Sequence, residues 1–166
     1  SLFSGIKKYT ESVVNACRKH GFVETLYGRR RYLPSINSVI AHVRAKTERQ
    51  AINTIIQGSA ADLIKIAMIK INEKMEAIYP ETKRPHQYLF SDHKIQEEPN
   101  RSLLRGGYLV LELHDELIYE VQEEDIEPVY AIVKEGMESA VSLSVKLPVK
   151  IRVGSNWGDM KEWAKR

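Results

Sequence analysis

Apolar residues recur along this chain with two different periods, and the changes of period mark its elements. From Ser4 to about His20, the residues Ile6, Tyr9, Val13, Val14 and Cys17 follow helical spacing, with Gly21 placed to end the helix. FVETLYGRRRYLP then reads as a short hairpin, two β-rich pieces around Tyr27 and Gly28 that end at Pro34 before a polar loop. From about Val43 to Met75 no proline intervenes and alanine, isoleucine, lysine and glutamate dominate, which predicts one long helix. Residues 79 to 107 lose the periodicity and carry Pro80, Pro85 and Pro99, as a long surface insertion would. Beyond them come LVLELHDELIYEV (109 to 121), a helix from about Glu124 to Val141, a strand around Val149 to Val153, and a short terminal helix containing Trp157 and Trp163.

The long helix changes character halfway. At about 100° per residue, Ile52, Ile55, Ile56 and Leu63 share one arc, while Arg49, Asn53 and Gln57 form a neighbouring polar stripe over roughly 12 Å. Arginine only donates hydrogen bonds, whereas the two amides both donate and accept, a combination suited to base edges in a minor groove. Taken alone, the stripe is equally a solvated helix face. From Ala60 to Ile71 the helix is apolar on nearly every side, which predicts a path through the interior of a larger structure. Gly58 interrupts it at a cost of about 1 kcal/mol relative to alanine, a cost explained if another backbone or a ligand approaches there.

LVLELHDELIYEV raises a sharper question. As one strand, it would place Asp115 on the same face as Leu109, Leu111, Leu113, Leu117, Tyr119 and Val121, and a buried carboxylate must be protonated, paired or metal-bound. Thirteen residues are long for a strand, so a hairpin is the simpler geometry: strands 108 to 113 and 117 to 121 around a tight turn at His114, Asp115 and Glu116. Apolar flanks on both sides predict a hairpin buried to its tip. Carboxylates held there suit Mg2+, which takes oxygen ligands and keeps several waters. An idle polar turn is the plain alternative, since Asp is a common turn residue.

Composition adds limits. The 166 residues, 43% of them hydrophobic, suffice for one ordinary domain or a piece of a larger one. A formal net charge of +3 leaves any attraction to nucleic acid to local clusters, of which GRRR, with Arg29, Arg30 and Arg31, is one. Phosphate contact and an idle surface cluster both fit it. The single cysteine, Cys17, excludes an intrachain disulfide and a multi-cysteine zinc site. No unbroken run approaches the roughly 18 apolar residues of a membrane span, so no membrane partner is expected. The start, SLFSGIKKY, shows no signal-peptide pattern and reads like the middle of a longer protein.

Taken together and in this order, TLYGRRRYLP, ERQAINTIIQGSAADLIKIAM and LHDELIYEV closely resemble the C-terminal part of the family A DNA polymerases, the DNA polymerase I type. The resemblance covers nearly the whole chain except the insertion. It implies an α+β fold, with a palm-type antiparallel sheet packed against long helices as a fragment of a right-hand polymerase. Residues 1–42 would end the fingers and 43–166 would form much of the palm, with the insertion at about 79–107. The aspartate matching Asp115 is one of two metal-binding carboxylates, the glutamate matching Glu116 supports the site, and the histidine matching His114 lies near the primer terminus. The residues matching Arg49, Asn53 and Gln57 contact the primer-template minor groove. Two Mg2+ ions, primer-template DNA, a dNTP and the remainder of the polymerase chain are the implied cofactor and partners.

The family's other catalytic aspartate lies in a motif resembling DYSQIELR, and its fingers helix carries an arginine, a lysine and an aromatic residue that grip the nucleotide. Neither motif occurs here, so the chain alone is not expected to extend a primer. Within the family, ERQAINTIIQGSAADLIKIA, the insertion and VKIRVGSNWGDMKEW are most similar to the eukaryotic repair members, which implies end joining or lesion bypass, a nuclear location and an insertion that grips DNA. A bacterial member would be cytoplasmic. A non-catalytic nucleic-acid-binding module of polymerase origin is the alternative. A metal-dependent phosphohydrolase ranks last, because no water-activating cluster stands out among the acids and five histidines.

Overall fold

The computed structural model describes residues 3 to 80 and 105 to 163. Most of the expected insertion, including its proposed grip on DNA, lies outside the described residues. The chain divides into two compact units, one ending at Leu63 and the next beginning at Ile64. Each has its own core.

In the first unit, helix α1 runs over Ser4–His20 and stops where expected, with Gly21 at φ 80° donating its N–H to the Cys17 carbonyl at 2.7 Å. That left-handed cap strains any residue with a Cβ. Strands β1 (Phe22–Glu24) and β2 (Arg30–Tyr32) pair antiparallel, Phe22 opposite Tyr32 and Glu24 opposite Arg30. After a 3-10 turn at Pro34–Asn37 comes α2, Ala41–Ile78, whose 38 residues exceed the expected helix by a few at each end. Val13 and Cys17 from α1, Val23 from β1, Leu33, Ile36 and Ala51 from α2 form one buried cluster. Each larger aliphatic side chain there contributes about 1.5–3 kcal/mol by leaving water. Burial also raises the pKa of the Cys17 thiol, which keeps it protonated and unreactive.

In the second unit, Ile71 and Met75 of α2 pack against Val129, Ile132 and Val133 of α3, Ile126–Glu138. A Cβ at Gly136 would lie 2.4 Å from Ile71 Cγ1, so glycine is what lets the two helices approach. Against this cluster lies a hairpin of β3 (Gly107–Leu113) and β4 (Glu116–Val121), which contributes Leu117, Tyr119 and Val121. The register slips between Leu109 and Leu111, leaving Val110 as a bulge that reverses which face the following side chains take. A third antiparallel pair joins β5 (Arg152–Val153) to β6 (Lys161–Glu162). The α+β expectation holds, with three separate two-stranded sheets among the described residues.

Three expectations need correction. The terminal helix is instead a 3-10 turn at Trp157–Asp159 followed by β6. Asn156 accepts from the N–H groups of Gly158 and Asp159 at 3.0 and 3.2 Å, and the Trp163 N–H bonds to the Ile151 carbonyl, so the backbone is committed to a turn and a strand. The strand at 149 to 153 shrinks to Arg152–Val153. The first hairpin of this unit is not buried to its tip: Val110, Leu111 and Leu113 are exposed, because the core cluster reaches the hairpin through Leu117, Tyr119 and Val121 and leaves the distal end projecting.

Helix α2 also contains an 18-residue window of mean hydropathy 1.2, which by length and composition alone could cross a membrane. Asn53, Thr54, Gln57, Ser59, Asp62 and Lys65 interrupt any unbroken apolar run within it.

Candidate nucleic-acid interface and acidic hairpin

The first half of α2 has two unlike sides. Thr47, Ala51 and Thr54 are buried, and Gly58, Ser59 and Asp62 continue that side. The GRRR hairpin docks on it. Arg29 donates from Nε to Asp62 Oδ1 at 2.8 Å and from Nη2 to the Gly58 carbonyl at 3.1 Å. The Leu26 N–H donates to Ser59 Oγ at 2.9 Å, and Arg31 Nη1 to Thr54 Oγ1 at 3.0 Å. Gly58 is explained by this docking, since a Cβ there would lie 2.8 Å from the Thr25 methyl. What approaches Gly58 is the hairpin.

Arg30 pairs with Glu24 at 2.6 Å and sits 4.6 Å from the centre of the Phe22 ring, and the hydrogen bond to Glu24 is the first cause of its raised pKa. None of the three arginines is therefore a bare cation. All stay exposed, with further N–H groups beyond those bonded.

The other side of the helix carries Arg49, Asn53 and Gln57, all exposed. The structure thus presents the stripe to solvent along one helix face, as the spacing predicted. Burying Thr47, Ala51 and Thr54 under α1 and the hairpin fixes the helix's rotation about its axis. The amides face outward as a result.

At the hairpin tip, Leu113 opposes Glu116, so His114 and Asp115 form a two-residue turn. His114 has φ 58°, the sole positive φ outside glycine among the described residues. The first loop position of such a turn favours glycine, and holding a histidine there costs about 1–2 kcal/mol. His114, Asp115 and Glu116 are all exposed. Glu116 Oε1 accepts from Arg152 Nη2 at 3.2 Å, tying the base of the turn to β5. Asp115, itself exposed, has no such partner among the described residues. The donor set fits Mg2+ as far as it goes: one hard oxygen ligand on a short, strained turn, with a second carboxylate beside it. Among the described residues no group of three or more His, Cys, Asp or Glu gathers around it.

The buried carboxylate of this protein is a different one, which sequence reasoning missed. Asp125, just before α3, is 2% exposed. It accepts from Arg105 Nε and Nη2, both at 2.9 Å, from the Gly106 N–H at 2.7 Å and from the Tyr79 hydroxyl at 3.3 Å. Arg105 beside it is the first cause holding its pKa below the ordinary value, opposed by burial. Tyr79 is pushed up, by burial first and then by the Asp125 charge. Glycine is required at 106, which has φ 76° and would place a Cβ 2.5 Å from the Tyr79 ring. No local periodicity announces a cluster whose members stand at positions 79, 105, 106 and 125.

Comparison with known proteins gives the family: the model of DNA polymerase family A matches residues 1–159, and the chain belongs to that family. Mouse (Mus musculus) DNA polymerase theta is 45% identical over 98% of this chain and 7% of its own length. The theta of Drosophila melanogaster is 42% identical over 96% and 7%. DNA polymerase I of Bacillus caldotenax is 40% identical over 96% and 15%. Among solved structures, the POL domain of Pol1 from M. smegmatis, in complex with DNA primer-template and dNTP, matches with a TM-score of 0.70 and 34% identity, over 87% of this chain and 21% of that one. The chain therefore spans a small part of the relatives it matches.

Proposed function

We propose that this chain is part of a DNA-directed DNA polymerase in which Asp115 supplies one of the two metal-binding carboxylates. Residues 1–42 end the fingers and 43–166 belong to the palm. In the reaction, the primer 3′-hydroxyl oxygen attacks the α-phosphorus of a dNTP, a new P–O bond forms, and pyrophosphate leaves with the electrons of the broken bond. The observation that carries this reading is an exposed carboxylate on a two-residue hairpin turn, in a chain matched to the family over residues 1–159.

Each residue has a stated part. Asp115 and a second aspartate from elsewhere in the polymerase hold Mg2+, which when bound polarises the reacting oxygens. Glu116, oriented by Arg152, supports the turn next to Asp115. His114 lies near the primer terminus, and its left-handed backbone forms the tight turn that carries Asp115. Arg49, Asn53 and Gln57 read the minor groove of primer-template DNA, where acceptors sit in similar places in every correct pair. Arg29, Arg30 and Arg31 contact phosphate with N–H groups left over from holding the hairpin.

The identity to the theta polymerases of mouse and fly supports a role in end joining or lesion bypass and a nuclear location. The 166 residues alone lack the DYSQIELR-like motif and the fingers helix and are not expected to extend a primer.

The test is Asp115→Asn in the intact polymerase, measured by Mg2+-dependent primer extension. Losing a metal ligand costs several kcal/mol, which is more than a hundredfold in rate at about 1.4 kcal/mol per factor of ten. A variant within about tenfold of wild type contradicts the metal role. DNA binding without any extension by the wild-type enzyme would favour a non-catalytic binding module instead.

A further inference from the structure

We infer that the DNA-binding face of α2 continues N-terminally from Arg49 to Lys46, which grips the phosphate backbone of the duplex whose minor groove Asn53 and Gln57 read. The inference rests on the DNA-binding reading of that helix face and extends it to a residue outside the stripe.

The geometry comes first. On α2, His42, Lys46, Arg49, Asn53 and Gln57 recur at intervals of four, three, four and four residues, which holds them on one side of a regular helix. All five are exposed, as are the intervening Ala45, Ile56 and Ala60 on the same side. Lys46 lies roughly 10 Å along the axis from Asn53 and roughly 16 Å from Gln57. The chemistry therefore changes along the face, from amides at one end to cations at the other. A minor groove about 6 Å wide is flanked by phosphate strands, so a helix that sets amides over base edges brings side chains two and three turns away to the backbone.

The placement of acids is the second observation. Between Ala41 and Leu63 the helix carries two, Glu48 and Asp62. Both lie off this face, and both are neutralised there: Glu48 by Arg18 of α1, and Asp62 by Arg29 of the hairpin. The exposed face thus holds no acid at all. In contrast to Arg18, Arg29 and Arg30, neither Lys46 nor Arg49 has an ion-pair partner among the described residues. Helix stability does not account for the arrangement. Neither cation has an acid three or four residues away on the helix, and both lie beyond the first turn, where the dipole acts. Charge complementarity to a polyanion does account for it, and the amides beside it select nucleic acid over an acidic peptide.

The experiment measures binding of the intact polymerase to a primer-template duplex over a range of salt, for wild type, Lys46→Ala, Lys46→Arg, Asn53→Ala and Gln57→Ala. A phosphate contact releases counterions, so Lys46→Ala should reduce the magnitude of the log K against log [salt] slope by about 0.9. The wild-type advantage should then shrink about threefold between about 50 and 200 mM salt. Lys46→Arg should restore the slope. Asn53→Ala and Gln57→Ala should lower the efficiency of correct nucleotide addition and leave the slope alone. A purely structural lysine would change thermal stability and not the salt slope.

An unchanged slope in Lys46→Ala, with Asn53→Ala and Gln57→Ala impaired, overturns this inference and leaves the minor-groove reading standing. If the two amide variants are silent while Lys46→Ala loses slope, the face binds backbone alone: Lys46 is upheld and the minor-groove reading fails. Silence in all of them removes DNA from this face altogether.

Discussion

Replacing Gly58 with alanine sets two effects of opposite sign against each other. Helix propensity alone favours alanine by about 1 kcal/mol at an interior position. Against it stands the docked hairpin: the new Cβ would lie 2.8 Å from Thr25 Cγ2 and 3.3 Å from Arg29 Nη2. Thr25 is buried and cannot rotate away freely, because its hydroxyl accepts from the N–H groups of Tyr27 and Arg29 at 3.3 and 3.2 Å. Moving it shifts the turn that also carries the Arg29 bonds to Asp62 and Gly58. Overpacking of this kind costs about 1–3 kcal/mol, so the sum is a net loss of about 1 kcal/mol. Equilibrium denaturation followed by far-UV circular dichroism measures it. Thr25→Ser removes only the offending methyl, and in a double-mutant cycle it should recover at least about 1 kcal/mol of the Gly58→Ala penalty. A Gly58→Ala protein as stable as wild type or more so, or the absence of coupling to Thr25→Ser, refutes the account of why glycine stands there.

Two further outcomes follow from the buried groups. Arg105 lowers the Asp125 pKa, so the folded value lies below the unfolded one near 3.8. The stability it contributes is complete above that unfolded value and is lost as pH falls through the lower folded one. Asp125→Asn should cost about 2 kcal/mol near neutral pH and flatten the acid limb of the stability curve, and an unchanged acid limb would contradict the pairing. Cys17, fully buried with a raised pKa, should resist iodoacetamide in the native protein and react once denaturant is added; rapid labelling of native protein would place it at the surface.

Much of the helical framework was legible because its signals are local. The spacing from Ile6 to Cys17, the capping Gly21 and the proline-free run through α2 depend only on neighbours a few residues apart. The stripe Arg49, Asn53 and Gln57 was legible for the same reason, since shared spacing is shared orientation. GRRR was visible as charge, but its partners were not: Arg29 meets Asp62, 33 residues further on, and nothing in a periodicity encodes that distance. The hairpin and its turn at His114 and Asp115 were legible in the length and apolar flanks of the stretch, whereas the carboxylate that is buried was not. Asp115 escapes to solvent on a turn, while Asp125, which sits in plainly charged company as EED, is the one buried and bonded four times. The Trp157 and Trp163 region misled because its composition tolerates a helix, while the Asn156 side chain decides for a turn.

The Asp125 cluster also decides where two distant stretches of the sequence meet. Tyr79 and Arg105 bond the same carboxylate, so the residue after α2 and a residue just before β3 are pinned side by side. The distance between them is therefore set by the Asp125 carboxylate, which both side chains share, and the start of β3 at Gly107 follows directly from the bond between the Gly106 N–H and that carboxylate. One buried charge thus joins two stretches of sequence that stand 26 residues apart.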